Sequence, residues 1–279
     1  MDGLPFWKMH GLGNDFVVLD GRVQAIAIHP DQAHRIADRH RGVGFDQLLV
    51  IEPAQTEGAD VFMRILNADG TESGACGNGT RCVAALVMAD TGAEALVVET
   101  RGGLLECRKA PEGGITVDMG AARLDWQEIP LAHEADTLHL PVSSGMLTDG
   151  VGVSMGNPHA VFFVPDAEKV QIDGVGPVLE HDPLFPERAN IGVVQVLGRD
   201  RLRYRVWERG VGVTQACGSG ACAAGVAAVR RGLTDRTVWV DLDGGTLLIE
   251  WRESDGHVLM TGPAETSFAG ILSRGLLDG

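Results

Sequence analysis

The chain has 279 residues, 44% hydrophobic and 22% charged, with a mean hydropathy of +0.05. That composition excludes a disordered segment or a polytopic membrane protein, and the length suits one large domain or two ordinary ones. A net charge of −15 and an isoelectric point near 4.9 argue against a nucleic-acid partner, which needs a basic face. The apolar tracts stop short of the ~20 residues a bilayer requires. The opening Met1-Asp2-Gly3-Leu4-Pro5-Phe6-Trp7-Lys8 lacks the basic start and apolar stretch of a signal peptide, so a cytoplasmic protein with no membrane partner is expected.

In chain order the sequence predicts mainly short strands joined by turns. A strand at Phe16–Leu19 is followed by a helix opened by Pro30-Asp31, running to about Arg39 with Ala33, Ile36 and Ala37 inward. An apolar strand follows Gln47, and another runs over Asp60–Leu66. After Cys76 comes a helix over Arg81–Ala89, then strands at Leu96–Thr100 and Gly114–Met119. The second half is built alike, with strands at Val151–Ser154, Ala160–Val164, Ile191–Val196 and Leu202–Trp207, then a helix over Ala221–Arg230 after Cys217. Strands at Thr237–Leu242, Thr246–Trp251 and His257–Thr261 complete it. Alternation such as Leu202-Arg203-Tyr204-Arg205-Val206 points to sheets with one wet face. The two helices after the cysteines are small and apolar nearly all round, so each should be wrapped by its own sheet.

Two peptides concentrate the chemistry: Gly74-Ala75-Cys76-Gly77-Asn78-Gly79 and Gln215-Ala216-Cys217-Gly218-Ser219-Gly220. Each sets a cysteine at the start of a helix, among unsatisfied backbone N–H groups and the positive end of the helix dipole, an environment expected to lower a thiol pKa. Other features recur in the same order. Gly13-Asn14-Asp15-Phe16 is echoed by Gly156-Asn157-Pro158-His159, Gln47 by Asn190, and Asn67-Ala68-Asp69-Gly70 by Trp207-Glu208-Arg209-Gly210. The pattern predicts an α/β (α+β) protein of two pseudo-symmetric domains. Each is a curved mixed sheet or barrel around a central apolar helix, with the active site in the cleft between them. Residues 1–120 form the first domain, with the tail 263–279 packing back on it, and residues 121–262 form the second.

The five cysteines, Cys76, Cys82, Cys107, Cys217 and Cys222, favour thiols over a disulfide framework. The spacings Cys76 to Cys82 and Cys217 to Cys222 turn the second thiol away from the first, so no metal is expected. A matched pair of helix-capping thiols suits an acid and a base: one removes a proton from a carbon, the other returns one to the opposite face. The N–H groups of Gly77-Asn78 and Gly218-Ser219 would hold the carboxylate whose oxygens gather charge. Only Lys8, Lys109 and Lys169 are available for a pyridoxal Schiff base, none near these turns, and no dinucleotide or P-loop motif occurs. No cofactor is expected. Asn14, Gln47, Asn67, Asn157, Asn190, Glu208 and Arg209 cluster at strand ends as ligand-binding candidates or simple turn formers. Arg209 offers a bidentate fork for a carboxylate, or is an exposed turn arginine. His159 either tunes a thiol or is a polar turn residue.

From Phe6 to Gly270 the chain resembles the diaminopimelate epimerases. The resemblance is carried by Lys8-Met9-His10-Gly11-Leu12-Gly13-Asn14-Asp15-Phe16, Asn67-Ala68-Asp69-Gly70, Cys76-Gly77-Asn78-Gly79-Thr80-Arg81-Cys82, Gly156-Asn157-Pro158-His159, Glu208-Arg209-Gly210 and Gln215-Ala216-Cys217-Gly218-Ser219-Gly220-Ala221-Cys222. It implies cofactor-independent conversion of LL-diaminopimelate to the meso isomer, on the route to lysine and peptidoglycan precursors. It further implies Cys76 and Cys217 as the two bases, with His159 and Glu208 modulating them. Asn14, Gln47, Asn67, Gly77, Asn78, Asn157, Asn190, Glu208, Arg209, Gly218 and Ser219 would hold the amino-acid substrate. The far end would fall to Asn67, Asn157, Asn190 and Arg209, in a protein that is usually a homodimer. Trp207 and Val213 depart from the family's common Tyr and Glu.

Proline racemases and hydroxyproline epimerases are the alternative enzymes, but they need no grip on a second amino-acid end. The PhzF-like isomerases replace one cysteine by an acidic base, whereas both thiols stand here. A non-catalytic thiol redox or binding protein is opposed by the repeated carboxylate-binding turns. Burial as inert core thiols is the reading for Cys82, Cys107 and Cys222.

Overall fold

The computed structural model describes residues 3–278. Two compact units divide the chain: one holds the residues up to Val117 and those from Gly262 onward, the other Asp118–Thr261.

In the first unit the elements are β1 (Gly3–Gly11), β2 (Asn14–Asp20), α1 (Pro30–Ala37), β3 (Gln47–Pro53), β4 (Val61–Asn67), β5 (Glu72–Ser73), α2 (Gly77–Thr91), β6 (Ala95–Thr100), β7 (Gly103–Lys109) and β8 (Ile115–Ala121), whose last residues enter the second unit. There follow β9 (Val151–Ser154), β10 (Pro158–Phe163), α3 (Ile172–Glu180), β11 (Asn190–Gly198), β12 (Arg201–Glu208), β13 (Gly212–Val213), α4 (Gly218–Arg230), β14 (Thr237–Leu242), β15 (Gly245–Trp251) and β16 (His257–Gly262). The chain ends with β17 (Glu265–Ser273) and α5 (Arg274–Leu277).

The pairings repeat from one unit to the other. In the first, β2 runs antiparallel to β1 and parallel to β3, β3 antiparallel to β4, and β4 parallel to β6. In the second, β10 runs antiparallel to β9 and parallel to β11, β11 antiparallel to β12, and β12 parallel to β14. Each parallel step needs a crossover. Helix α1 or α3 supplies the first in its unit, and α2 or α4, headed by a motif cysteine, the second. The strand β17, from the end of the chain, pairs with β1 from Gly3↔Ser273 to His10↔Glu265.

Both cysteine-headed helices are longer than the sequence suggested, because the Gly-x-Gly turn is already helical. Helix α2 packs on β1, β2, β3, β6 and β7, and α4 on β9, β10, β11, β12, β14 and β15, each within its own unit's strands. The small side chains explain the fit. On α4, Ala221, Ala223, Ala224, Ala227 and Ala228 are all buried, and a methyl group on Gly225 would come within 3.0 Å of Ile249 Cγ2. Larger residues would force the strands apart. Helix α2 has one feature the apolar reading lacked: Arg81 is 0% exposed, and its Nε donates to the Pro263 carbonyl at 3.1 Å. Gly92 ends α2 in the left-handed region at φ 77°, its N–H returning to the Met88 carbonyl. No helix among the described residues is long and apolar enough to cross a membrane.

Candidate active site

Cys76 and Cys217 occupy the same position in their units, the extended residue that caps a helix. Their φ, ψ values are −154°, 101° and −121°, 105°, and their carbonyls accept the first helical hydrogen bonds, from Thr80 N at 2.8 Å and Ala221 N at 2.9 Å. Gly79 N donates to Cys76 Sγ at 3.3 Å, whereas the Cys217 side chain closes no such capping hydrogen bond and the Gly220 N–H acts on its sulfur only as a nearby donor that lowers the pKa. A methyl on either glycine would stand 3.3 or 3.2 Å from that sulfur, so the second glycine of each Cys-Gly-x-Gly turn clears the thiol's approach to the helix N–H.

The residue between the two glycines meets the Gly-Asn turn of its own unit. Asn78 Nδ2 donates to Asn14 Oδ1 at 3.2 Å, and Asn157 Nδ2 donates to Ser219 Oγ at 3.3 Å. Asn14 in turn donates to Asp46 Oδ2 at 2.9 Å, part of a network in which Arg39 bridges Asp15 and Asp46 while the buried Lys8 ammonium donates to Asp15 and to the Gly44 carbonyl. Burial would raise the Asp15 carboxyl, but hydrogen bonds from Arg39 and Lys8 hold it down at about 2. Asn14 is thus oriented by an ionic network that its sequence position did not reveal.

Sheet register aligns the remaining candidates in rows. In the first unit Phe16 pairs with Gln47 and Gln47 with Asn67. Gln47 Nε2 donates to Asn67 Oδ1 at 3.1 Å, and Asn67 Nδ2 to Thr71 Oγ1 at 3.1 Å. In the second unit His159 pairs with Asn190, and the pair Ile191↔Trp207 carries Asn190 level with Glu208. Asn67 therefore corresponds to Glu208, one position from the alignment with Trp207 that the turn sequences suggested. Asn190 is 3% exposed and spends its amide on main chain, Nδ2 donating to the Pro158 carbonyl and Oδ1 accepting from Arg209 N. Arg209 is half-buried, and its guanidinium donates to the Glu187 carbonyl at 2.9 Å.

The row His159–Asn190–Glu208 puts titratable groups around the second cysteine. His159 Nε2 lies 3.0 Å from Asn157 Oδ1 and 3.2 Å from Ser219 Oγ. The amide oxygen only accepts, so in this assignment Nε2 carries the proton. Complete burial, with the Arg209 charge nearby, pushes the imidazole down to about 3, so it is neutral in the working range. Glu208 accepts from Thr214 Oγ1 and is hydrogen-bonded to Cys217.

The expectation that both thiols are acidified fails at Cys217. Burial and then the charge of Glu208 push its pKa well above the ordinary value, outweighing the lowering contributions of Ser219 and the Gly220 N–H. Cys217 is thus a thiol here. Burial pushes Cys82 and Cys107 up to about 12, as inert core thiols require. Trp207 packs on the core beside α3, its Nε1 donating to Glu180 Oε2 at 2.7 Å, while Val213 is exposed. Thr214, Asp46 and Glu180 (which also accepts from Gly210 N) hold the candidate residues in place and were not singled out from sequence. Their partners lie on other strands and turns, which leaves no local signal.

Two like α+β units, each capping a buried small-residue helix with a cysteine beside an amide-bearing turn, define a fold class shared with several solved structures. A phenazine biosynthesis protein of the PhzF family from Bacillus anthracis superposes with a TM-score of 0.68 at 18% identity, over 98% of this chain and 100% of that one. A hydroxyproline epimerase from Agrobacterium vitis superposes with a TM-score of 0.67 at 13% identity, over 96% and 92%. Sequence narrows the class. The chain belongs to the diaminopimelate epimerase family, whose pattern, described as Diaminopimelate epimerase, matches residues 6–124 and 151–267. It is 61% identical to the diaminopimelate epimerase of Rhodospirillum centenum over 98% of this chain and 94% of that protein, and 56% identical to that of Acidiphilium cryptum over 98% of each.

Proposed function

We propose that this chain interconverts LL- and meso-2,6-diaminopimelate by a cofactor-independent two-base reaction, supplying lysine and peptidoglycan precursors. The observation that carries the reading is the repeated helix start: a cysteine whose sulfur lies near the N–H two residues past the next glycine, beside an asparagine from its unit's Gly-Asn turn.

Cys217 enters the cycle protonated, its S–H directed to Glu208. Cys76 is then the base that takes the α-proton, and Cys217 delivers its own proton to the opposite face of the carbanion. The charge that develops on the substrate carboxylate is met by the N–H groups of Gly77-Asn78 and Gly218-Ser219, which have no helical acceptor. The thiolate left on Cys217 is met by Gly220 N–H and by the Ser219 hydroxyl, whose oxygen is already occupied by Asn157 and His159 as donors. Asn14, Gln47, Asn67, Asn157, Asn190, Glu208 and Arg209 hold the substrate, with Asn67, Asn157, Asn190 and Arg209 at the distal end. His159 and Glu208 modulate Cys217. A cytoplasmic homodimer belongs to the same reading and rests on the family resemblance.

Chiral chromatography of products from LL-diaminopimelate tests it. Cys76→Ala and Cys217→Ala should each abolish conversion, and substantial activity in either variant would refute the scheme. Turnover of hydroxyproline instead would move the chain to the other epimerases of this fold.

A further inference from the structure

Tyr204, the only tyrosine in the chain, is 1% exposed on β12, yet its hydroxyl has no hydrogen-bond partner among the described residues. Buried tyrosines normally find one, because an unmade bond costs the desolvation of the group. Two glycines make room for the ring. A methyl on Gly192 of β11 would stand 2.8 Å from Tyr204 Cε2, and one on Gly220 would fall on the hydroxyl itself. That same Gly220 position is 2.9 Å from Tyr204 Cζ and 3.2 Å from Cys217 Sγ. The hydroxyl and the sulfur therefore crowd one side of a single glycine at the start of α4.

We propose that Tyr204 is a positioning residue for the second thiol, its hydroxyl donating a hydrogen bond to Cys217 when that sulfur is a thiolate. The proposal rests on the reading of Cys217 as an acid–base group. In the thiol state Cys217 directs its proton to Glu208 and the tyrosine hydroxyl is idle. Once the proton leaves for the substrate, the sulfur gains charge and the hydroxyl gains an acceptor. The bond thus belongs to one half of the cycle only, which is where an interaction raises turnover. No proton leaves Tyr204, since burial and the neighbouring Cys217, Glu208 and Cys222 all push its own ionisation upward. The titratable groups around the pair are Glu208 on β12, Cys222 on α4 and His159 on β10, the last reaching Cys217 only through Ser219.

The test reads the thiol rather than turnover, so it stands apart from the fate of the proposed function. The pH dependence of iodoacetamide alkylation at Cys217, followed by peptide mass, should move upward by about one unit in Tyr204→Phe, with about tenfold slower alkylation at a fixed pH below the transition. The sole tyrosine allows a second measurement that leaves the side chain in place. Biosynthetic 3-fluorotyrosine, a stronger donor, should move the same profile downward, and its single fluorine resonance should titrate together with Cys217. That titration should vanish in Cys217→Ser and persist in Cys222→Ser. Alkylation profiles that superimpose, or a fluorine signal that does not follow Cys217, would overturn the proposal. If Tyr204→Phe does not fold, the fluorotyrosine protein decides alone.

Discussion

The His159 Nε2 nitrogen sits 3.2 Å from the Ser219 hydroxyl, which itself lies 3.7 Å from the Cys217 sulfur. With the Nε2 proton directed to Asn157 and shared with Ser219, the serine O–H is left for the sulfur. His159 thus works as a neutral, oriented donor and not as a cation that would acidify the thiol electrostatically. The equivalent position in the first unit is Phe16, in register with Gln47, so the imidazole has no counterpart at that place in the row. The repeat is symmetric in fold and asymmetric in titratable groups.

A buried neutral histidine has a consequence for stability. Its pKa is depressed from 6.5 to about 3, so its contribution is fully present above the unfolded value and is lost as pH falls through that window. At pH 5 the loss should be about 2 kcal/mol. His159→Gln should flatten this part of the profile, as measured by urea unfolding between pH 5 and pH 8, and a parallel profile would remove His159 as the cause.

Thiol reactivity should rank by environment. In the ligand-free protein Cys76, half-buried at its helix start, should be alkylated before the buried Cys217, while Cys82 and Cys107 stay unmodified. In Glu208→Gln the loss of a neighbouring negative charge should lower the Cys217 pKa, by about one unit. Mass mapping of alkylated peptides over pH 6–10 checks both. Modification of Cys217 first would contradict the account of its burial.

The Lys8–Asp15–Arg39 network should matter to the fold as well as to Asn14. Asp15→Asn leaves the buried Lys8 ammonium without its carboxylate, at a cost of about 3 kcal/mol. With a pKa lowered from 3.8 to about 2, the Asp15 contribution is present above 3.8 and disappears as pH falls through 2. Thermal unfolding at pH 7 should therefore separate variant from parent, and the gap should close at strongly acid pH.

Trp207 supplies one of the donors that hold the buried Glu180 carboxylate, which also accepts from the turn at Gly210. Trp207→Phe should cost about 1–3 kcal/mol and raise KM through looser placement of Glu208 and Arg209. Denaturation and steady-state kinetics with unchanged parameters would show that the indole N–H does no such work.

Much of this was legible in the sequence. Cys-Gly-x-Gly before a run of alanines is local information, since capping and helix burial follow from neighbouring residues alone. The recurrence of Asn14 as Asn157 and of Gln47 as Asn190 was enough to expect a repeated unit. Other features depend on tertiary neighbours. The β1 and β17 pairing joins residues as distant as Gly3 and Ser273, beyond any periodicity signal. The raised pKa of Cys217 comes from burial and from Glu208 on another strand, which a helix-dipole argument omits. The match of Asn67 with Glu208 appears only in the sheet register, because the turns that follow them differ in sequence. Tyr204 read as one more inward strand residue, and its hydroxyl gained meaning only from Gly192 and Gly220.

If two different bases serve one carbon, isotope placement in the earliest product will show it. LL-diaminopimelate should be converted in deuterated water and followed by proton NMR at a few per cent turnover. With two bases, the first meso product carries deuterium at the inverted α-carbon while the remaining substrate is still protonated, because the delivering thiol is loaded from solvent. First-formed product that keeps the substrate's own proton would mean one base acting on both faces, and would contradict the pairing of Cys76 with Cys217.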